Sequence, residues 1–172
     1  MWMRSGVAGR GFGTCLVLAA VGAVLPAGAA LAASTGAPRF ATAAQIKSLA
    51  VAVKHPVYWL GPRSGFNYEL TVAGTGRIYI RYLPKGAQLG DKRAIYKTVG
   101  TYPVPNALTQ LQAGAKFLKR PLIKVGTNGL AVVSRPPTSV YLVFGTEDYQ
   151  VEVFTPSAKL SKAAIKSVAP VS

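Results

Sequence analysis

The chain has 172 residues, with 20 Lys and Arg against five Asp and Glu, and a formal net charge of +15 at pH 7. A single Cys and a single His exclude a disulfide framework and a Cys/His zinc site. The five carboxylates argue against sites built from several acidic groups, so we expect no metal and no cofactor. Half of the residues are hydrophobic, which provides enough apolar surface for a folded core and excludes disorder.

The N-terminal residues 1–33 have the pattern of a secretory signal peptide. Arg4 and Arg10 supply the positive charge, an apolar run ends at Pro26, and residues 30–32 (ALA) match the A-x-A cleavage pattern. We therefore expect a secreted or cell-envelope protein, outside the cytoplasmic membrane. The alternative is a retained N-terminal membrane anchor, because the uncharged run is long enough to span a bilayer.

A helix at about 43–54 is the first element predicted after this segment. Thr42 and Gln45 have the spacing of a capping box, and apolar residues follow at i, i+3, i+4 and i+7. The pair His55-Pro56 ends the helix, because a residue that precedes proline avoids the helical conformation.

Alternating residues then predict a β-hairpin with a defined register. A three-residue loop, Gly74-Thr75-Gly76, connects the two strands and keeps the apolar side chains on one face. The pairs that this loop predicts are Val72 with Ile78, Leu70 with Ile80, Tyr68 with Tyr82, and Glu69 with Arg81. A second hairpin, around residues 145–148, is expected to pair Leu142 with Val151.

Two further helices are expected in the rest of the chain. The second helix begins at Pro105-Asn106 and ends before Pro121. Its apolar stripe is predicted to contain Leu108, Leu111, Ala115 and Leu118. The third helix is predicted to be capped by Thr155, to run to about Val168, and to carry lysines on one face.

The two halves of the chain show the same order of elements. The offset of eight residues from Leu60 to Tyr68 recurs from Val133 to Tyr141. This order predicts an α+β fold in which duplicated βββα units follow a leading helix, with an antiparallel sheet and the helices packed on one face. Chance similarity between the halves is the alternative. The expected organisation is a flexible segment at 34–42 and one domain at 43–172, with halves at 43–120 and 121–170.

Four strings in the first half resemble a group of uncharacterised exported bacterial proteins. They are PVYWLGP at 56–62, YELT at 68–71, RIYIRYLP at 77–84 and VGTYP at 99–103. The resemblance covers roughly residues 43–125. It implies secretion and a shared fold, and it carries no functional residues, since no activity is known for the group.

No pattern in the chain predicts a catalytic residue. His55 is interpreted as a turn residue, and the Gly-rich loop at 126–129 lacks the lysine that a phosphate-binding loop needs. Glu69 and Glu152 are the only acid/base couple that can be constructed, and the alternative is two solvated sheet positions. The sequence favours a non-enzymatic protein, with an enzyme using an unrecognised carboxylate site as the alternative.

The distribution of charge points to a partner. Between Lys92 and Thr146 there is no acidic residue, and four cations fall within nine residues. These candidate anion-binding residues are Lys116, Lys119, Arg120 and Lys124. We expect electrostatic association with an anionic envelope component, either anionic lipid or a wall polymer, whereas export argues against nucleic acid. A basic surface without a dedicated partner is the alternative.

A second candidate surface combines aromatic and cationic side chains. Arg77, Tyr79 and Arg81 alternate along one predicted strand, so they share a face of the sheet. Such a face is able to stack on sugars or bases, which makes a partner-binding module a further alternative. An ordinary half-exposed sheet is the simpler interpretation.

Overall fold

The computed structural model describes residues 36–145 and 148–172. The predicted signal peptide at 1–33 and its cleavage site lie outside the described residues. Within the segment expected to be flexible, Arg39–Ala41 form a strand that pairs with a later strand of the main sheet. No helix in the described part of the chain is long and apolar enough to cross a membrane.

The fold is α+β and is built on an antiparallel sheet of eight strands, as predicted. In chain order the elements are β1 (Arg39–Ala41), α1 (Ala43–Val53), β2 (Tyr58–Trp59), β3 (Phe66–Val72), β4 (Ile78–Pro84), β5 (Lys97–Pro103), α2 (Ala107–Phe117), β6 (Ile123–Val125), β7 (Gly129–Val133), β8 (Ser139–Phe144), β9 (Tyr149–Phe154), α3 (Ala158–Ala164) and β10 (Ala169–Pro170). The order of strands across the sheet is β1-β3-β4-β5-β9-β8-β7-β6. Strands β2 and β10 pair with each other in a separate two-stranded ribbon.

Both hairpins have the predicted register. In the first hairpin all four predicted pairs are present, including Glu69 opposite Arg81. Gly76 has φ of +74°, a left-handed conformation that suits glycine and closes the short loop. In the second hairpin Leu142 lies opposite Val151, as expected. Local turn geometry and the alternation of apolar residues were therefore sufficient to fix these registers.

The two halves of the main sheet have the same arrangement about the β5–β9 pair. The first half consists of β1, β3, β4 and β5, the second half consists of β9, β8, β7 and β6, and the two halves meet where β5 pairs with β9. In the chain, each half is followed by a helix. Strand β2, which is the first strand of the first predicted βββα unit, does not join the main sheet and instead lies over it. It is held there by side-chain hydrogen bonds, from Tyr58 N to Thr101 Oγ1 (3.0 Å) and from Leu60 N to Tyr82 Oη (2.8 Å).

The helices cover both faces of the sheet, so the expectation that they share one face was wrong. Helices α1 and α3 pack on the larger core, which includes Ala131 and Leu142. Helix α2 packs on the neighbouring residues Val132 and Val143, whose side chains point the other way. The physical reason is that β7 and β8 are apolar on both faces, and each face needs a cover.

The predicted N-cap of α1 is confirmed, whereas the predicted N-cap of α3 is wrong. At the start of α1, Gln45 N donates to Thr42 Oγ1 (3.2 Å) and Thr42 N donates to Gln45 Oε1 (2.8 Å), which completes the predicted capping box. The N-cap position of α3 is occupied by Ser157 and not by Thr155, and the Ser157 side chain makes no capping hydrogen bond. Thr155 is fully buried, and its hydroxyl lies 2.7 Å from Ser161 Oγ inside the protein.

Candidate functional site

Residues 116–122, which we call the basic tip, form the end of α2 and the turn that follows. The helix ends in a Schellman motif, in which Arg120 N donates to Ala115 O (2.8 Å) and Lys119 N donates to Lys116 O (3.1 Å). Lys119 occupies the left-handed position of this motif with φ of 51°. The backbone of the tip is therefore fixed by its own hydrogen bonds.

The side chain of Arg120 anchors the tip to the sheet. Its Nε and Nη2 donate to the carbonyl oxygen of Val133 (3.2 and 3.1 Å), and Nη2 also donates to that of Ser134 (2.9 Å). Arg120 as a whole is half-buried. Of the four predicted anion-binding residues, Arg120 thus has a positioning role, because its Nε and Nη2 groups donate to carbonyl oxygens within the protein.

The other three predicted residues present their charge to solvent on the α2 side of the sheet. Lys116 and Lys119 are exposed on the tip itself. Lys124 is exposed on the edge strand β6, opposite Leu130, and Leu130 packs against the α2 cluster. Because paired residues in a sheet point to the same face, the side chain of Lys124 leaves the sheet on the side where α2 lies.

The basic tip also exposes three large apolar side chains, and the sequence did not predict their exposure. The exposed fractions are 78% for Phe117, 63% for Leu118 and 43% for Leu122. The prediction that Leu118 belongs to the buried stripe of α2 was wrong, because the helix ends at this residue and its side chain leaves the packed face. The alternation of cations and apolar residues in the string KFLKRPL was the available signal.

A second group of lysines surrounds a cleft on the α3 side of the sheet. The cleft has a volume of about 670 Å³ and lies between the β6–β7 turn and α3. Lys162 and Lys166 line it, and so does Lys124, since the edge strand borders both faces. Its floor is formed by apolar residues that belong to the main core, such as Ile165 and Val168.

The carboxylates of the described residues are all bonded within the protein. Glu69 pairs with Arg81 (2.7 Å), and Glu152 accepts hydrogen bonds from Tyr102 and Ser139. The others are Asp91, paired with Arg93, and Asp148, which caps the backbone N–H of Asn106 at the start of α2. The Arg93 hydrogen bonds hold the pKa of Asp91 well below its usual range. Within the described residues, the acidic groups are thus engaged away from the basic tip.

The predicted aromatic and cationic face is only partly available. Arg81 is used by its salt bridge to Glu69, and its guanidinium lies over the ring of Tyr96 at 5.1 Å. Tyr79 packs edge-to-face against Tyr102, with ring centroids 5.7 Å apart. Arg77 is exposed and lies just before β4. The three predicted residues therefore do not form one stacking platform.

The Glu69/Glu152 couple is not assembled by the fold. Both side chains leave the same face of the sheet, but their strands, β3 and β9, are three strand spacings apart, which is about 14 Å. Glu69 is 2% exposed and is therefore not the solvated position that the alternative interpretation described. The structure gives this pair no shared proton path.

His55 and the metal-binding residue types do not form a site either. His55 Nδ1 donates to Pro56 O (2.9 Å), and its ring stacks on Tyr149 with centroids 5.1 Å apart. It lines a cavity of about 370 Å³ whose lining contains no Asp or Glu side chain to orient the imidazole. Across residues 36–145 and 148–172, no group of three or more His, Cys, Asp or Glu is placed to hold a metal ion.

Comparisons with known proteins supply no identification. No family model, no curated protein and no solved structure matches this chain. The resemblance of the four strings to exported bacterial proteins therefore stays a prediction. Evidence for a function comes from the charge and shape of the surface itself.

Proposed function

We propose that the protein is exported and that its role is non-enzymatic binding to an anionic surface of the cell envelope through the basic tip. One observation supports this proposal above the others. Lys116 and Lys119 are exposed on a fixed turn and form no salt bridge with any described residue. The net charge, +15 for the full chain and +13 once Arg4 and Arg10 leave with the signal peptide, adds a long-range attraction to the same kind of partner.

The expected strength of this attraction follows from the number of exposed lysines. Each Lys or Arg close to an anionic lipid surface contributes about 1 kcal/mol at physiological ionic strength. Lys116 and Lys119 of the basic tip together would contribute about 2 kcal/mol, which corresponds to roughly a thirtyfold preference for an anionic over a neutral surface. An interaction of this size is reversible and falls with added salt.

Binding is favoured over catalysis by the state of the ionisable groups. Glu69, Glu152 and His55 each have partners inside the protein, and neither of the two cavities described above is lined by more than one of them. A general acid and base must reach the same substrate atoms, at hydrogen-bond distance or through one water. The exposed cations, in contrast, need no further rearrangement to meet an anionic surface.

The experiment measures binding of the exported protein to vesicles by sedimentation. The protein is recovered after export from cells that carry the full gene, and mass spectrometry determines its N-terminus. The vesicles contain phosphatidylcholine alone or phosphatidylcholine with phosphatidylglycerol, and a soluble polyanion, polyphosphate, is tested in parallel. Each titration is repeated from about 50 mM to about 500 mM salt, a range over which screening of charges increases strongly.

The proposal predicts an N-terminus near Ala33 or Ser34 and binding to the anionic probes that falls steeply with salt. Phosphatidylcholine alone should bind the protein weakly at every salt concentration. Absence of binding to both anionic probes at low salt would contradict the binding role, as would binding that high salt leaves unchanged. An intact N-terminal segment on a membrane-bound protein would contradict the cleaved signal peptide and support the anchor.

A further inference from the structure

The basic tip combines exposed cations with exposed apolar side chains, and the exposed apolar side chains indicate that a partner covers the tip. Phe117 and Leu118 are each more than 60% exposed, and Leu122 follows four residues later at 43%. Single exposed apolar residues are common on protein surfaces, but several large ones close together in the chain indicate an interaction site.

The exposure of these side chains is built into a rigid part of the fold. The Schellman hydrogen bonds fix the turn, and the three donors of Arg120 hold it against the end of β7. Lys119 has φ of 51°, a conformation that glycine adopts at lower cost. The backbone conformation at this position favours glycine, and the lysine that occupies it adds a positive charge to the tip.

The chemistry of the tip discriminates between possible occupants. A second copy of this chain would bring Lys116 and Lys119 of the two molecules together, and such like charges repel. A soluble polyanion would satisfy the lysines but leave Phe117 and Leu118 in water. An anionic bilayer satisfies both features, because its headgroups carry the negative charge and its acyl region accepts apolar side chains.

We propose that the basic tip inserts Phe117, Leu118 and Leu122 into the boundary between headgroups and acyl chains of an anionic lipid bilayer. Lys116 and Lys119 then lie at the level of the headgroups, with their apolar stems along the inserted side chains. This inference rests on the proposed function and narrows its partner from anionic envelope material in general to a lipid bilayer. The tip supplies a shallow anchor and does not span the membrane.

The first test compares serine variants at matched exposed positions. The double variant Phe117→Ser/Leu118→Ser removes the apolar groups and leaves every charge in place. Val51→Ser is the control, because Val51 is 79% exposed but lies on α1, on the opposite face of the sheet from α2. Affinity is measured for phosphatidylcholine/phosphatidylglycerol vesicles and for polyphosphate, and circular dichroism confirms that each variant is folded.

The expected result is a selective loss of vesicle binding. The double variant should bind the anionic vesicles at least about tenfold more weakly, because full burial of one such side chain already corresponds to about tenfold or more. Its affinity for polyphosphate should be unchanged, and Val51→Ser should match the wild-type protein on both probes. Unchanged vesicle binding by the double variant would overturn insertion and leave the electrostatic function standing. Failure of the wild-type protein to bind either probe would overturn both.

The second test locates the side chain of residue 117 directly. In the variant Phe117→Trp, vesicles with brominated acyl chains should quench the fluorescence of the added tryptophan. The fluorescence of Trp59 should not be quenched, because this residue is 5% exposed and lies in the protein interior. Quenching equal to that of the wild-type protein would contradict insertion. Analytical ultracentrifugation tests the competing occupant: a dimer that Phe117→Ser/Leu118→Ser dissociates would assign the tip to self-association and overturn the lipid proposal.

Discussion

The guanidinium of Arg120 donates two hydrogen bonds to the carbonyl oxygen of Val133, with donor–acceptor distances of 3.2 and 3.1 Å. A third hydrogen bond reaches the next carbonyl, that of Ser134. This contact joins the end of α2 to the end of β7, and packing of apolar side chains such as Leu111 and Val132 also holds the two elements together. The position of the basic tip on the molecule depends on it.

Replacement of Arg120 is expected to lower the free energy of unfolding even when the positive charge is kept. Arg120→Lys keeps the positive charge, but an ammonium group cannot reproduce the forked geometry of three hydrogen bonds. We expect a loss of about 1–2 kcal/mol in the free energy of unfolding, measured by urea denaturation. Arg135→Lys, at an exposed arginine, is the control and should be neutral. Equal stability of the two variants would show that the contact contributes nothing.

Lys119 is expected to lower the free energy of unfolding while its charge strengthens binding by the tip. Its left-handed backbone conformation (φ of 51°) is one that glycine adopts without steric cost. Lys119→Gly should therefore raise the free energy of unfolding by roughly 0.5–1 kcal/mol while it weakens binding to anionic vesicles. Thermal unfolding and vesicle titration on the same sample check both effects. A variant that is less stable, or that binds as well as the wild-type protein, would contradict this explanation.

Tyr82 is expected to make the protein sensitive to alkaline pH. Burial raises the pKa of Tyr82 from the ordinary value of 10.0 to about 12. The folded state thus holds the phenol proton more tightly than the unfolded state does. The protonated phenol of Tyr82 therefore makes its full contribution to the free energy of unfolding below pH 10.0, and this contribution is lost as the pH rises through about 12.

The variant Tyr82→Phe isolates this effect. It removes the acceptor for Leu60 N and the donor to Gly61 O, so near neutral pH it should cost about 1–3 kcal/mol. The difference in unfolding free energy between variant and wild-type protein should then shrink as the pH rises above 10.0, since only the wild-type protein loses the contribution of the phenol. Urea denaturation at a series of pH values measures it, and a difference that is constant with pH would refute the assignment.

The buried pair Glu69–Arg81 is expected to be strongly coupled. Glu69 is 2% exposed, and besides Arg81 it accepts a hydrogen bond from Gly90 N (2.7 Å), which ties the loop after β4 to the sheet. Glu69→Gln should cost about 2–3 kcal/mol, because it leaves the guanidinium of Arg81 without its counter-charge. In a double-mutant cycle with Arg81→Met, the two losses should be less than additive by about 1–3 kcal/mol.

The pair Asp91–Arg93 is the comparison for this cycle. The Arg93 side chain is 70% exposed, so solvent screens the interaction and Asp91→Asn should change stability less than Glu69→Gln does. Strict additivity at Glu69 and Arg81 would contradict a coupled buried pair. The measurement in each case is the midpoint and slope of urea unfolding.

Short-range patterns in the sequence predicted the local elements well. The capping box at Thr42 and Gln45 and the register of both hairpins depend on residues a few positions apart, and the structure confirms them. The pairing of Glu69 with Arg81 followed from that register.

Features that depend on distant parts of the chain were not predictable in the same way. The burial of Glu69 requires the loop that carries Gly90 to fold back on the sheet. The side on which α2 packs depends on both faces of β7 and β8 being apolar, and the exposure of Leu118 depends on where α2 ends. Charge content identified the lysines of the tip, whereas the apolar residues between them gained significance only from their exposure.

The central claim, that the basic tip is the binding surface, is tested most directly by charge reversal at two places. Lys116→Glu/Lys119→Glu and Lys162→Glu/Lys166→Glu change the net charge equally, but the second pair lies on the α3 side of the sheet. The measurement is the dissociation constant of each variant for phosphatidylcholine/phosphatidylglycerol vesicles at one low salt concentration. We predict at least about a tenfold loss of affinity for the tip variant and less than about threefold for the α3 variant. Equal losses would show that total charge, and not the tip, determines binding, and would contradict the claim.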